Sequence, residues 1–95
     1  MEIKWTVKAK QDYDSILDYI LSDFSIKEVE KFVNLTEDTL FLISKNPLMF
    51  PKTKTKNVRK CVLVQQVNIY YRVNKNQIEV LTFWDNRRNP KGLKH

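Results

Sequence analysis

With 95 residues, 42% of them hydrophobic, the chain is long enough for one domain with a single core. Its single glycine excludes the Gly-rich loops that bind phosphates, and one cysteine with one histidine excludes an internal disulfide and a Cys/His zinc site. No apolar run approaches the roughly 20 residues of a membrane span, and the N-terminus is unlike a secretion signal. We therefore expect a cytoplasmic protein without a cofactor or metal.

The charge of the chain is divided unevenly between its two halves. Residues 1–46 contain six lysines and nine acidic residues, a net charge of −3. Residues 47–95 contain seven lysines, all four arginines and two acidic residues, a net charge of +9. Positive charge concentrated in one half indicates an anionic partner, either nucleic acid or an acidic protein segment.

The N-terminal residues predict a strand followed by a helix. Apolar and polar residues alternate from Ile3 to Val7, which is the period of a strand with one buried face. The next apolar residues have the spacing of a helix, and they are Tyr13, Ile16, Leu17, Ile20 and Phe24. Asp12 and Asp14 are predicted to lie in the first turn of this helix, where the helix dipole favours negative charge.

A second helix is predicted to begin after Ser25, because Ser25 and Glu28 have the spacing of a capping box. Its inward residues should be Val29, Phe32, Val33, Leu40 and Ile43. The helix should end at Asn46-Pro47, since proline disfavours helical geometry in the residue before it and asparagine tolerates a left-handed cap. With almost no loop between them, the helices form an antiparallel hairpin from Asp12 to Asn46.

The rest of the chain predicts a loop, Pro47 to Asn57, followed by three strands. The strands are Val58 to Val64, Ile69 to Val73 and Ile78 to Trp84, and the turns between them are Gln65 to Asn68 and Asn74 to Gln77. This order predicts one α+β domain, residues 1–95, with an N-terminal strand and an antiparallel two-helix hairpin packed on one face of a mostly antiparallel four-stranded sheet. Residues 90–95 should form a frayed tail. The expected core is Trp5, Ile16, Ile20, Val33, Leu40, Ile69, Tyr71 and Val80.

Basic residues of the second half are the candidates for contact with a target or with nucleic acid, and we expect them on the open face of the sheet or its rim. They are Lys52, Lys54, Lys56, Arg59, Arg72, Arg87 and Arg88. The three lysines alternate with threonines, which suits either a phosphate grip or a soluble loop. Arg72 and Tyr70 should point to the open face, where Arg72 either contacts a ligand or pairs with Glu79.

Arg87 and Arg88 follow the last strand, and two adjacent guanidinium groups favour an anionic partner. Metal-free RNA cleavage would also need a base and an acid. His95 is terminal, and Asp85 suits either a base or a structural salt bridge and turn cap. Trp84 suits either the sheet core or a binding platform.

Three fragments and their order resemble the RelE/ParE superfamily of toxins from bacterial type II toxin–antitoxin systems. They are Asn57-Val58-Arg59, Ile69-Tyr70-Tyr71-Arg72-Val73, and the segment from Ile78 to Pro90, which contains Trp84-Asp85-Asn86-Arg87-Arg88. The resemblance implies a small toxin of the plasmid-stabilisation type that inhibits growth. It also implies a cognate antitoxin that wraps across the helices and the sheet, giving a hetero-oligomer.

The superfamily divides by target, since RelE-like members cut mRNA on the ribosome and ParE-like members poison DNA gyrase. Arg59 matches one basic position of the ribonucleases, but Cys61 and Asn68 stand at two others, and no tyrosine follows Tyr71. The Tyr-Arg-Val strand and the Arg87-Arg88 pair are more similar to ParE. The resemblance therefore favours a toxin that binds gyrase.

Two alternatives stay open. One is a ribosome-dependent endoribonuclease that uses Arg59, Arg72 and Arg87 or Arg88, and the other is a non-catalytic basic nucleic-acid-binding module, or a decayed toxin. For the antitoxin we expect an acidic segment that folds on binding and contacts the rim from Arg59 to Arg88. Its contacts should include Arg59 and Arg87, with apolar anchors near Trp84.

Overall fold

The computed structural model describes residues 1–87, which form two helices and four strands. These elements are β1 (Glu2–Trp5), α1 (Val7–Asp23), α2 (Ile26–Lys45), β2 (Val58–Val64), β3 (Val67–Asn74) and β4 (Gln77–Asp85). The predicted tail, residues 90–95, and Arg88 lie outside the described residues. Neither helix is long and apolar enough to cross a membrane.

The four strands form one sheet in the order β1-β4-β3-β2, with the helical hairpin on one face. β1 runs parallel to β4, whereas the β2–β3 and β3–β4 pairs are antiparallel. The predicted α+β architecture is therefore confirmed. We call the face that packs on the helices the helix face and the opposite one the open face.

The boundary between β1 and α1 differs from the prediction. The strand ends at Trp5 and the helix begins at Val7, because Thr6 caps it by accepting a hydrogen bond from the Ala9 amide at 3.0 Å. Val7 was expected to point inward as a strand residue, but it is 70% exposed. Asp12 and Asp14 lie beyond the first turn, so their predicted interaction with the helix terminus is wrong.

The second helix agrees with its predicted limits. Ser25 caps α2 by accepting from the Glu28 amide, and the helix ends at Lys45 with Asn46 as its C-cap. The predicted left-handed conformation of Asn46 is wrong, since its φ is −138°. Instead, the Asn46 amide closes the last turn by donating to the carbonyls of Leu42 and Ile43.

The turn between β2 and β3 is shorter than predicted. Only Gln65 and Gln66 separate the two strands, and a register shift lies between Val62 and Val64. Val67 and Asn68, predicted as turn residues, are buried residues of β3. The longer strand brings the end of β4 beside this turn, where the Asn86 amide donates to the Gln66 carbonyl at 2.7 Å.

The core lies between the hairpin and the helix face. Of the eight residues expected there, all but two are buried, and those two, Trp5 and Val33, are half-buried. Trp5 packs against the core and contacts the rings of Tyr13 and Phe83, with centroids 5.1 and 4.9 Å away. On α2, the buried Thr36 shares the inward face with Phe32, and its hydroxyl donates to the Phe32 carbonyl.

Candidate binding surfaces

The loop between α2 and β2 is held against the helix face by two side chains of the sheet. The Arg59 guanidinium donates from one nitrogen to the carbonyls of Phe50, at 2.7 Å, and Leu48, at 3.2 Å. The Tyr71 hydroxyl donates to the Pro47 carbonyl at 2.9 Å. Burial raises the pKa of Tyr71 to about 12, with the nearby Arg59 charge acting in the opposite direction. Arg59 is thus placed to stabilise the loop.

The three loop lysines are presented to solvent while the residues between them face the protein. Lys52, Lys54 and Lys56 are exposed, and Thr53 and Thr55 are half-buried. The Thr53 hydroxyl donates to the Val58 carbonyl at 3.0 Å, which fixes the alternation. Within residues 1–87 no ion pair occupies these lysines, so the row can accept an anionic partner.

Arg72 lies on the open face, as predicted, and pairs there with a carboxylate. Its guanidinium is 3.7 Å from Glu79 on the neighbouring strand β4, and both side chains are partly exposed. Of the two roles predicted for Arg72, the structure thus contains the ion pair with Glu79. Tyr70 lies on the same face by register but is buried, so it is not an exposed stacking platform.

Asp85 and Arg87 form a local cluster at the end of β4. The Asp85 carboxylate, whose residue is 3% exposed, accepts from the Arg87 amide at 2.9 Å and from its guanidinium at 3.1 and 3.2 Å. The guanidinium also lies over the Tyr19 ring, 4.6 Å from its centroid. Asp85 is thus engaged as a turn cap and salt bridge, and Arg87 is held in place on two sides.

Residues of α1 reach the open face near Trp84, a cluster that the sequence pattern did not predict. Asp12 accepts hydrogen bonds from Lys8 and from the Thr82 hydroxyl. The Lys8 ammonium lies 5.9 Å from the Trp84 ring centroid. Trp84 is half-buried, and its indole N–H is buried without a hydrogen-bond partner among the described residues. Lys8 and Asp12 are four residues apart on a helix, and this spacing could have predicted their ion pair from the sequence.

An apolar groove with a volume of about 240 Å³ opens between the helical hairpin and the β2–β3 turn. Its apolar lining comes from Ile20, Phe24, Phe32, Leu35 and Val64, and Arg87 lies at its margin with Glu28 and Lys31. Phe24 and Leu35 are exposed. The groove therefore combines an unfilled apolar surface with two cations and one carboxylate.

The candidate arginines do not converge on one point. Arg59 is opposite Tyr71, a residue of the helix-face core, whereas Arg72 lies on the open face and Arg87 follows β4. The expectation that the basic residues crowd on the open face or its rim is thus wrong for Arg59, which the loop engages. Among the described residues, no group of His, Cys, Asp and Glu side chains could hold a metal ion.

Cys61 is unsuited to nucleophilic chemistry. It is 1% exposed on β2, and burial raises the pKa of its thiol to about 11. Because the thiolate is the reactive form, the thiol is unreactive near neutral pH. This agrees with a core role for the residue.

A family model and solved structures that resemble the chain both come from toxin–antitoxin systems. The family model described as "ParE toxin of type II toxin-antitoxin system, parDE" matches residues 3–90. No curated protein sequence matches the chain. Among solved structures, the chromosomal ParDE system of P. aeruginosa is 23% identical, with a TM-score of 0.77, over 90% of this chain and 95% of the other.

Two further structures show the same fold at lower identity. A copper-bound mutant toxin from Helicobacter pylori is 18% identical, with a TM-score of 0.68, over 93% of this chain and 97% of that chain. The YoeB dimer of Staphylococcus aureus is also 18% identical, with a TM-score of 0.65, and the alignment covers 88% of this chain and 94% of the other.

Proposed function

Since the chain belongs to the ParE toxin family of type II toxin–antitoxin systems, we propose that it inhibits growth by binding DNA gyrase. The protein then acts by binding, without a catalytic site of its own. The antitoxin that neutralises it is a second partner, whose proposed surface shares Arg87 with that of the target.

The observation that supports this proposal is that Arg59, Arg72 and Arg87 lie at separate places in the structure. RNA cleavage without a metal requires a base, an acid and cations around one scissile phosphate. Arg59 is bonded to loop carbonyls, Arg72 pairs with Glu79 on the open face, and Arg87 pairs with Asp85. Three cations engaged at separate places suit an extended binding surface better than a reaction centre.

For the target, we propose contacts through cations that lie at the surface. The loop lysines 52, 54 and 56 are exposed, Arg72 is partly exposed, and Arg87 and Arg88 follow β4 in sequence. Arginine makes two parallel hydrogen bonds to a carboxylate or phosphate, which lysine does not. Asp85 already accepts from the Nε and Nη2 atoms of Arg87, so the paired contact to the target is assigned to Arg88 and to the other edge of the Arg87 guanidinium. On this basis the Arg87-Arg88 pair should contribute more to toxicity than the lysines.

For the antitoxin, we propose an acidic segment with apolar anchors that occupies the groove. Arg87 and Lys31 at its margin suit acidic side chains, and Phe24 and Leu35 suit apolar ones. Arg59 and Trp84 lie elsewhere on the surface. If they also contact the antitoxin, its chain must pass around the edge of the sheet.

Purified protein tests the target directly. We expect it to inhibit supercoiling of relaxed plasmid by gyrase, and to leave mRNA uncut in a translation reaction followed by primer extension. Cleavage at defined codons with unchanged supercoiling would establish the endoribonuclease instead. Unchanged supercoiling together with uncut mRNA would exclude both targets.

Two double variants test whether the arginine pair contributes more to growth inhibition than the loop lysines. Arg87→Ala/Arg88→Ala and Lys52→Ala/Lys54→Ala each remove two positive charges, so a general effect of charge would weaken both equally. We expect the arginine variant to lose growth inhibition at matched expression, and the lysine variant to keep most of it. Circular dichroism of both proteins establishes that they are folded.

A further inference from the structure

We propose that a hairpin formed by residues 52–59 contacts the phosphate backbone of the duplex DNA that gyrase holds. This assignment rests on the proposed function, because gyrase supplies the DNA. It deepens that function by giving the loop lysines to the DNA rather than to the protein part of the target. The contact is made to phosphates and is therefore independent of the DNA sequence.

The middle of the chain contains no negative charge. Residues 39–78 include six lysines and two arginines, but no aspartate or glutamate. Three of these cations, Lys52, Lys54 and Lys56, alternate within five residues and are exposed. None of the ion pairs within residues 1–87 includes them. The three lysines thus form a local concentration of positive charge that attracts an anionic partner.

Residues 52–59 form a short hairpin that leads into β2. Lys52 pairs with Arg59 in an antiparallel bridge. One step further, the Thr53 amide donates to the Val58 carbonyl at 2.8 Å. The guanidinium of Arg59 binds two carbonyls of the preceding loop, so the base of the hairpin is fixed to the rest of the fold.

The tip of the hairpin is held by its own hydrogen bonds. The Val58 amide donates to the Thr55 carbonyl at 3.1 Å, and the Thr53 hydroxyl accepts from the Thr55 amide at 3.1 Å. Asn57 turns the chain with a φ of 64°, a left-handed conformation that asparagine tolerates better than most residues with a side chain. Because the backbone of the tip is already ordered, its lysines bind a partner without the cost of ordering a loop.

The side chains of the hairpin suit phosphates better than a protein or a membrane. Val58 is the single apolar residue among residues 52–59, and it is fully buried. A protein interface draws most of its affinity from a few desolvated anchors, chiefly aromatic residues and arginine, and a segment that lies on a membrane inserts an apolar face. Binding to nucleic acid instead depends on lysine charge and on the release of counterions. Duplex DNA is therefore the anionic partner that this hairpin fits.

The hairpin and Arg87 lie at opposite ends of the sheet. Val58 begins β2 beside the hairpin, whereas Val64 at the other end of β2 shares a cross-strand row with Val67 and Asp85. The six residue steps between these ends of the strand span about 20 Å. Arg87 follows Asp85 and is bonded to it. One toxin can therefore contact DNA with one end and the protein of the target with the other.

The first measurement is binding of the full chain to a labelled DNA duplex, by fluorescence anisotropy between about 50 and 200 mM salt. Lys54→Ala/Lys56→Ala should lower the slope of log affinity against log salt by about 1.8, since each phosphate contact contributes about 0.9. Over this range, the original chain should lose affinity about tenfold more than the variant. The control, Lys10→Ala/Lys27→Ala, removes two exposed lysines of the helices and should keep the original slope.

The second measurement is binding to gyrase with and without DNA. The hairpin variant should bind gyrase alone as well as the original chain does. It should bind the gyrase–DNA complex about three- to fivefold more weakly at about 150 mM salt, because two phosphate contacts are missing. A loss of this size leaves growth inhibition by an overexpressed toxin largely intact.

The outcomes separate this contact from the proposed function. If the original chain inhibits gyrase but the hairpin variant keeps the original salt slope, the DNA contact is wrong and the gyrase target stands. If the original chain does not affect gyrase, both fail. Weaker binding of the variant to gyrase without DNA would assign the lysines to the protein and overturn the contact. It is equally overturned if single-stranded RNA or vesicles of phosphatidylglycerol show the change in slope and duplex DNA does not.

Discussion

Arg59 and Arg72 lie on neighbouring strands, but the structure predicts different costs for replacing them. We consider Arg59→Met and Arg72→Met, because methionine keeps much of the aliphatic stem and removes the charge. Arg59 makes a 2.7 Å hydrogen bond to the partly buried Phe50 carbonyl and a more exposed one to Leu48. Arg72 makes one ion pair of 3.7 Å between partly exposed side chains.

The magnitudes follow from these contacts. A hydrogen bond from a charged donor contributes roughly 1.5–3 kcal/mol, and the exposed bond to Leu48 adds little because water replaces it. Arg59→Met should therefore lower the free energy of unfolding by about 2 kcal/mol. An exposed ion pair contributes about 0–1 kcal/mol, so Arg72→Met should cost less than about 1 kcal/mol.

Urea denaturation followed by circular dichroism measures both values. At this chain length, 1 kcal/mol corresponds to a shift in Tm of about 4–8 °C, so the two variants should be separable by heat as well. The slope of the denaturation curve should not change, since neither substitution alters the surface exposed on unfolding. Equal losses for the two variants, or a larger loss for Arg72, would refute the loop-holding role of Arg59.

Three other predictions concern the core, pH and the partner. Leu40→Ala should lower the free energy of unfolding by roughly 2–5 kcal/mol by urea denaturation, whereas the exposed Leu48→Ala should change it by less than about 0.5 kcal/mol. Burial raises the pKa of Cys61 to about 11 and of Tyr71 to about 12. The unfolded chain therefore loses these protons first, and stability should fall as pH rises from 9 to 12. Cys61→Ala should remove the contribution of the thiol, which develops between about pH 9 and 11 and amounts to roughly 1–3 kcal/mol, and should leave the contribution of Tyr71, which begins at about pH 10. Stopped-flow mixing with the antitoxin should show that added salt slows association more than it speeds release, with a weaker salt dependence for Arg87→Ala; a salt-insensitive association rate would contradict charge steering.

The elements with strong periodicity were predictable from the sequence, and the places where two signals compete were not. The Ser25 capping box and the Asn46-Pro47 stop locate α2 to within a residue. At the start of the chain, Val7 continues the alternation of β1 by coincidence, while Thr6 ends the strand and caps the helix. Thr6 can do both because its amide donates to Val80 of β4 and its hydroxyl accepts from Ala9.

The candidate binding surfaces were less predictable, because they depend on which elements become neighbours. Periodicity assigns Phe24 to the inward stripe of α1, yet the groove leaves it exposed. Asp85 and Arg87 are two residues apart, so their salt bridge was among the alternatives that the sequence offered. The contact of Arg87 with Tyr19 depends on the packing of α1 beside the end of β4, which no local pattern contains.

The distribution of charge on the folded chain indicates how a partner must bind. A strand sends successive side chains to opposite faces, so a basic stretch of sequence cannot become a single basic face. Arg59 and Lys60 are adjacent in β2, but their cross-strand neighbours are Tyr71 of the core and Tyr70 of the open face. Further cations lie on the loop and beside the groove. A rigid, flat partner would meet only one of these places, whereas an extended acidic chain that passes around the β2 edge can reach both faces. The split in sequence charge therefore favours a partner that wraps around the sheet.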